Sequence, residues 1–243
     1  MEIRSKFFFH KILKLILKNN YINFSDHFGS NGPNAYFSLC DQDYSSIDNR
    51  KRFVENLGYN PSNLVVPNQV HSDKIKLVDE PCFIENIDGL ITKNKSLVLS
   101  ILVADCIPLF LFNPKSEFFA LVHSGWRGTD KNICLSVINK LKDQGDNTND
   151  ILAIIGPSIG QCCFEVGSEV ASKFDDCYSL KGKKDKMMLN LSDILKDQLI
   201  HSGVKRNNIL ISKQCTYCEE ELFHSFRRQG SSAGRMVAIC GWH

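Results

Sequence analysis

The chain has 243 residues, a near-balanced net charge of +2 and 43% hydrophobic residues. That length suffices for one large domain or two small ones with a core that needs no covalent staples. Interspersed acids and bases exclude a strongly basic nucleic-acid surface. The ten cysteines, scattered through apolar runs with no secretory signal before them, read as reduced thiols of a cytoplasmic protein rather than as a disulfide framework.

In chain order, the apolar and basic stretch Phe7 to Asn20 is interrupted by lysines, lacks a small-residue cleavage site and is too short to cross a bilayer. Residues 1–20 are therefore an expected amphipathic element without stable membrane association, and residues 21–243 an expected single catalytic α/β domain. Ser25 to Asn34, rich in Gly, Asn and Pro, predicts a loop of special shape. Ser45 or Ser46 is placed to cap a helix through Leu57, ended by Gly58. Short β-branched and aromatic runs then predict strands at Asn63 to Val66, Gln69 to Val78, Asp88 to Thr92, Leu97 to Ala104, Ile107 to Phe112 and Phe118 to His123. Asp130 is expected to cap a helix through Gln144, and Ile151 to Ile155 reads as a buried strand. Helices over Gly167 to Phe174 and Ser192 to His201, an exposed basic turn at 181–186, and strands at Ile209 to Ser212 and Met236 to Cys240 complete the expectation. No linker or internal repeat divides the chain.

Chemistry-bearing residues gather at strand ends. Ala104-Asp105-Cys106 follows one apolar run and leads into Pro108, which presents a thiol and a carboxylate at a sheet edge. His123 ends a later run and opens His-Ser-Gly-Trp-Arg-Gly-Thr, where Gly125 and Gly128 permit close backbone approach and Arg127 offers a planar cationic fork for an anion. His71 lies upstream in Asn-Gln-Val-His, beside Gln69. One thiolate and two imidazoles form a ligand set that catalytic zinc accepts, with a fourth position left for water, although no H-E-x-x-H spacing shows that the three converge. Arg227, Arg228 and Arg235 flank a glycine-rich turn and are candidate anion contacts as well as ordinary surface residues. Cys215-Thr216-Tyr217-Cys218 is a single C-x-x-C with no second pair at finger spacing, and Cys162-Cys163 reads as packing.

With these segments in view, the chain resembles the YfiH-like family, long labelled multicopper polyphenol oxidase or laccase-domain proteins and later assigned as purine nucleoside phosphorylases. The matching segments are N-Q-V-H-S, D-G-L-I-T, V-A-D-C-I-P-L, H-S-G-W-R-G-T, G-P-S-I-G-Q-C-C-F-E-V-G, C-T-Y, F-R-R-Q-G and A-G-R-M. One departure is the loop D-H-F-G-S-N-G, with His27, where the family usually has an Arg-Gly-Gly type loop. The resemblance implies a layered α/β fold with mixed β-sheets between outer helices. It further implies a zinc and catalytic triad at His71, Cys106 and His123. The activity it implies is phosphorolysis of adenosine, inosine, guanosine and methylthioadenosine to base and ribose 1-phosphate, with deamination of adenosine. Asp105 is then a candidate for proton handling, and Gln69, Arg127, Arg227 and Arg228 are candidate contacts to nucleoside and phosphate.

Other classes stand beside this one. A Cys-His hydrolase would use Cys106 as nucleophile and His123 or His71 as base. A copper oxidase would need more imidazole ligands than seven histidines without a His-X-His pair readily supply. A zinc-stabilised binding module would use the same three ligands without turnover.

Overall fold

The computed structural model describes residues 20–243. The amphipathic element expected over residues 1–20 lies outside the described residues except for Asn20. Two short strands, β1 (Tyr21–Asn23) and β2 (Asn34–Ser38), precede helix α1 (Ile47–Asn56). A strand-rich stretch follows: β3 (Leu64–Pro67), β4 (Ile75–Leu77), β5 (Phe83–Ile84), β6 (Gly89–Thr92), β7 (Val98–Val103), β8 (Ile107–Phe112) and β9 (Phe119–Ser124). Helices α2 (Trp126–Asp130) and α3 (Ile133–Asp143) lead to β10 (Leu152–Ile155), β11 (Glu165–Val166) and the short α4 (Ser168–Ala171). Then come β12 (Ser179–Lys181), β13 (Met187–Leu189), α5 (Leu191–His201), β14 (Ile209–Ile211), α6 (Phe226–Gln229) and β15 (Met236–Gly241).

Two six-stranded mixed sheets stack face to face. The first runs β1-β2-β15-β7-β3-β5 and the second β14-β10-β8-β9-β6-β4, while β11-β13-β12 form a small third sheet. Strand alternation sorts the core. In β8, Phe110 and Phe112 face the first sheet with Phe37, Leu99 and Ile101, whereas Ile107, Leu109 and Leu111 face α3 and α5 with Val137, Ile138 and Leu195. On the far side of the first sheet, Val98 and Val237 pack with Phe53 and Val54 of α1. The order helix, sheet, sheet, helices is the layered α/β arrangement expected from the resemblance. Each fully buried Leu, Ile or Phe contributes roughly 1.5–3 kcal/mol, which is why β8 and β9, buried at every position, anchor the molecule.

Several expected elements end elsewhere, for identifiable reasons. The strand expected over Gln69 to Val78 is only Ile75–Leu77. Before it, the backbone N–H groups of Val70, His71 and Ser72 all donate to the Asp88 carboxylate, and His71 takes a left-handed φ of 58°. A buried carboxylate has thus displaced the sheet ladder as acceptor. The helix expected to be capped by Asp130 begins instead at Ile133: Asp130 ends α2, and Asn132, at φ 58°, caps α3 by accepting from the Leu135 N–H. The helix expected over Gly167 to Phe174 is only Ser168–Ala171. The basic stretch at 181–186 does form the exposed turn between β12 and β13.

Candidate metal centre and cavity

The chain crosses between the two large sheets at the site. β7 belongs to the first sheet and β8 to the second, and the crossing is made by Ala104, Asp105 and Cys106. Asp105 takes a φ of 84° there, a left-handed conformation that non-glycine residues rarely adopt. The chain crosses again between β3 and β4, and His71 lies on that second crossing. His123, near the end of β9, pairs in register with Pro108 of β8. Strand ends and sheet-to-sheet crossings therefore converge three residues that are far apart in sequence. Donor atoms of His71, Cys106 and His123 all lie within 4.8 Å of one another, and the two imidazole rings meet edge to face at 4.8 Å.

Asp88, which sequence reasoning passed over as a strand start, organises the group. It is fully buried, and its Oδ1 lies 2.8 Å from His123 Nδ1 while its carboxylate also accepts from the His71 N–H at 3.0 Å. The Ser72 hydroxyl donates to it as well, at 2.7 Å. One carboxylate thus orients both imidazole-bearing segments, leaving Nε2 of His123 for a ligand role; outer-shell carboxylates do this for metal-binding histidines. Burial pushes the Asp88 carboxyl up, but the His123 and Ser72 hydrogen bonds outweigh it and hold it at about 2.

Cys106 shows a similar contest. Burial raises its thiol, yet the His123 and His71 imidazoles beside it bring it down to about 6. For His123, burial lowers the imidazole, and the Cys106 sulfur and Asp88 together raise it to about 9. A thiolate between imidazoles is a soft, ionised donor set. Gly125 makes room for it: a Cβ there would stand 2.8 Å from Cys106 Sγ and 3.2 Å from His71 Cδ2. The residues fit a single three-liganded metal ion of catalytic type.

The centre opens into a cavity of about 700 Å³. Val66, Leu102, Phe83, Phe164 and Phe226 give it apolar surface, and four arginines, Arg50, Arg127, Arg227 and Arg235, line it. Arg127 is exposed, stacks on Trp126 at 4.3 Å and forms no ion pair among the described residues. Arg50 is buried, and its Nε has no hydrogen-bond partner among the described residues. Sequence reasoning missed Arg50 because it reads as an ordinary polar position of an amphipathic helix.

Other expected site residues have definite duties. Gln69 lines the cavity, and its amide pairs both ways with the Leu102 backbone, accepting at 2.7 Å and donating at 2.8 Å, as a continuation of the β3 and β7 pairing. Asp105 accepts the Thr216 hydroxyl at 2.6 Å and the Arg227 backbone N–H at 2.7 Å. The Arg227 guanidinium donates to the Glu165 carbonyl and lies over Phe164. Arg228 is not a lining residue: its guanidinium donates to the carbonyls of Thr216, Tyr217 and Phe223. A fork engaged by three carbonyls holds loops together, so Arg228 is a poor anion contact. The loop Ser25 to Asn34 supplies none of the lining residues, and His27 meets the Asn208 carbonyl at 3.0 Å.

A two-sheet α/β fold carrying a His-Cys-His centre at the sheet crossings defines the class. Residues 25–243 match the family described as multi-copper polyphenol oxidoreductase laccase, and the chain belongs to that family. It is 33% identical to adenosine deaminase RL5 from an unknown prokaryotic organism, over 84% of this chain and 87% of the relative. It is also 31% identical to a purine nucleoside phosphorylase of Clostridium acetobutylicum, over 93% of this chain and 98% of that one. Among solved structures, YlmD from Geobacillus stearothermophilus superposes with a TM-score of 0.84 at 26% identity, covering 89% of this chain and 93% of that one. No helix among the described residues is long and apolar enough to cross a membrane.

Proposed function

We propose that the protein is a zinc-dependent purine nucleoside phosphorylase that also deaminates adenosine, with residues 21–243 acting as one catalytic unit. The observation that carries the reading is a His-Cys-His centre opening on a cavity that has both an apolar wall and four arginines. Phosphorolysis requires an anion held beside a flat, mostly apolar base, and this cavity offers surfaces for both. The relatives named as phosphorylase and deaminase support the same choice.

His71, Cys106 and His123 would hold the zinc, which supplies a Lewis acid at the cavity floor when bound. Arg127 and Arg50 provide cationic donors for phosphate, and Arg227 and Arg235 extend the positive rim. Phe164 and Phe226 supply faces against which a purine stacks. In phosphorolysis a phosphate oxygen forms the bond to ribose C1′ as the C1′–N9 bond breaks, and the electron pair leaves with the base. Both oxygens of Asp105 accept hydrogen bonds from neighbouring loops, so it acts as a positioning residue that holds Thr216 and Arg227 at the cavity edge.

A test is a panel of adenosine, inosine, guanosine and methylthioadenosine, incubated with metal-quantified protein with and without phosphate. Free base and ribose 1-phosphate, or 5-methylthioribose 1-phosphate from methylthioadenosine, are expected only with phosphate, whereas some inosine and ammonia from adenosine and water are expected with or without it. Phosphate-independent products from every nucleoside would sink the phosphorylase reading.

A second reading has one observation in its favour: the lowered Cys106 thiol beside His123 is also what a Cys-His hydrolase requires. Turnover of an ester or amide that survives complete metal removal would select it.

A further inference from the structure

Cys162 and Cys163 lie in the turn before β11, and Cys215 and Cys218 in the loop after β14, 55 residues further on in the chain. Sequence alone offers packing for one pair and an orphan C-x-x-C for the other. Folding brings all four together: their sulfur atoms lie within 4.8 Å of one another. Cys218 Sγ is 3.7 Å from Cys162 Sγ and 3.2 Å from Cys163 Sγ. Sulfurs bound to one tetrahedral zinc ion at about 2.3 Å stand roughly 3.8 Å apart, so the separations suit four ligands of one ion.

The backbone around the cluster is built to fit it. The Gly160 N–H donates to Cys215 Sγ at 3.2 Å, a bond that favours a thiolate. Position 160 must also stay small, because a Cβ there would stand 3.2 Å from Cys162 Sγ and 3.4 Å from Cys215 Cβ. Ser158 and Cys215 form a parallel bridge, and the Thr216 N–H donates to the Ser158 carbonyl at 3.0 Å. The two loops are thus held in register where the sulfurs meet.

We propose that Cys162, Cys163, Cys215 and Cys218 form a second metal site, a closed four-thiolate structural site for zinc, that staples the loop lining one side of the cavity to the loop that bonds Asp105. Four protein ligands leave no open position, which is the structural rather than the catalytic pattern. Coordination deprotonates the four thiols, releasing four protons to solvent with no change of oxidation state. One loop carries Ile159 and Phe164 into the cavity lining. The other carries Thr216, which donates to Asp105 at the crossing before Cys106. The staple therefore acts on cavity shape without touching His71, Cys106 or His123, and it does not depend on which reaction the cavity performs.

The full chain, reduced and reconstituted with excess zinc under anaerobic conditions and then desalted, provides the test. Two zinc per chain are expected for the unaltered protein, and one for Cys218→Ser and for Cys163→Ser. His123→Ala is expected to keep one, with all four cluster thiols still protected from a thiol reagent. Cobalt substitution of His123→Ala should give the intense charge-transfer and ligand-field bands of a tetrahedral four-thiolate ion, a signature that packing alone does not produce. A single zinc per chain lost entirely in His123→Ala, or a Cys163 to Cys218 disulfide in the unaltered protein after this treatment, would overturn the assignment. Should Cys218→Ser fail to fold, the stoichiometry and cobalt spectrum of His123→Ala decide alone.

Discussion

The two donor clusters of this protein are supported in opposite ways. His71, Cys106 and His123 stand at strand ends and sheet crossings, braced by the buried Asp88 carboxylate and by the space at Gly125. Cys162, Cys163, Cys215 and Cys218 stand on two loops, with one N–H to sulfur bond and one short bridge beneath them. The first is held in place by the sheets before any ion arrives. In the second, the proposed ion adds a staple to two loops that the backbone joins only at Ser158 and Cys215. A preformed three-ligand set leaves a position for chemistry, whereas a four-ligand set on loops has stability to give and no vacancy to offer.

That contrast can be broken first at Cys106. Replacing it with Ala should lower turnover by more than about 100-fold, beyond the upper end of what outer-shell changes cost. Circular dichroism and thermal melting should show the fold retained. A Cys106→Ala chain that unfolds would place this centre on the structural side of the comparison.

Asp88 comes next. Asp88→Asn should weaken metal binding by roughly 10- to 100-fold, measured by competition with a chelator. It should also change the acid limb of stability. The folded carboxyl lies near 2, below its ordinary 3.8, so its contribution is present above about pH 4 and is lost as pH falls towards 2. The contribution is on the order of 2 kcal/mol. Melts of the metal-free protein between pH 2 and pH 5 should therefore fall less steeply in Asp88→Asn. An unchanged slope would remove Asp88 from its organising role.

Smaller effects sharpen the picture. Gly125→Ala inserts a Cβ 2.8 Å from Cys106 Sγ and should lower metal affinity by about 10-fold while the core melts nearly as before. Arg127→Ala, at an exposed position, should alter stability by less than about 0.5 kcal/mol and raise the KM for phosphate several-fold. An unchanged phosphate KM would move the anion to Arg50 or Arg235.

Much of the layered fold was legible because β7, β8 and β9 are short apolar runs whose alternate residues face different layers. Cys106 and His123 were legible as polar residues at the ends of such runs, and His71 through the segment N-Q-V-H-S that carries the resemblance. The role of Asp88 was not, because an acid before a glycine at a strand start looks like a turn, and only folding brings three backbone N–H groups to it. The same contacts erased the expected strand at Gln69. The four-cysteine cluster was hidden because only Cys215 and Cys218 have C-x-x-C spacing while Cys162 and Cys163 are adjacent, and loop closure over 55 residues leaves no periodic trace. Arg228 illustrates the converse: a cationic residue near a glycine-rich turn looks like an anion contact, yet its donors are taken by three carbonyls.

The most direct measurement is hypoxanthine release from inosine in phosphate buffer by metal-stripped protein, before and after zinc is restored. Zinc-dependent phosphorolysis requires negligible release from the stripped protein and recovery with zinc, with ribose 1-phosphate formed in equal amount. Full activity in the stripped protein, or recovery with copper and not with zinc, would contradict it.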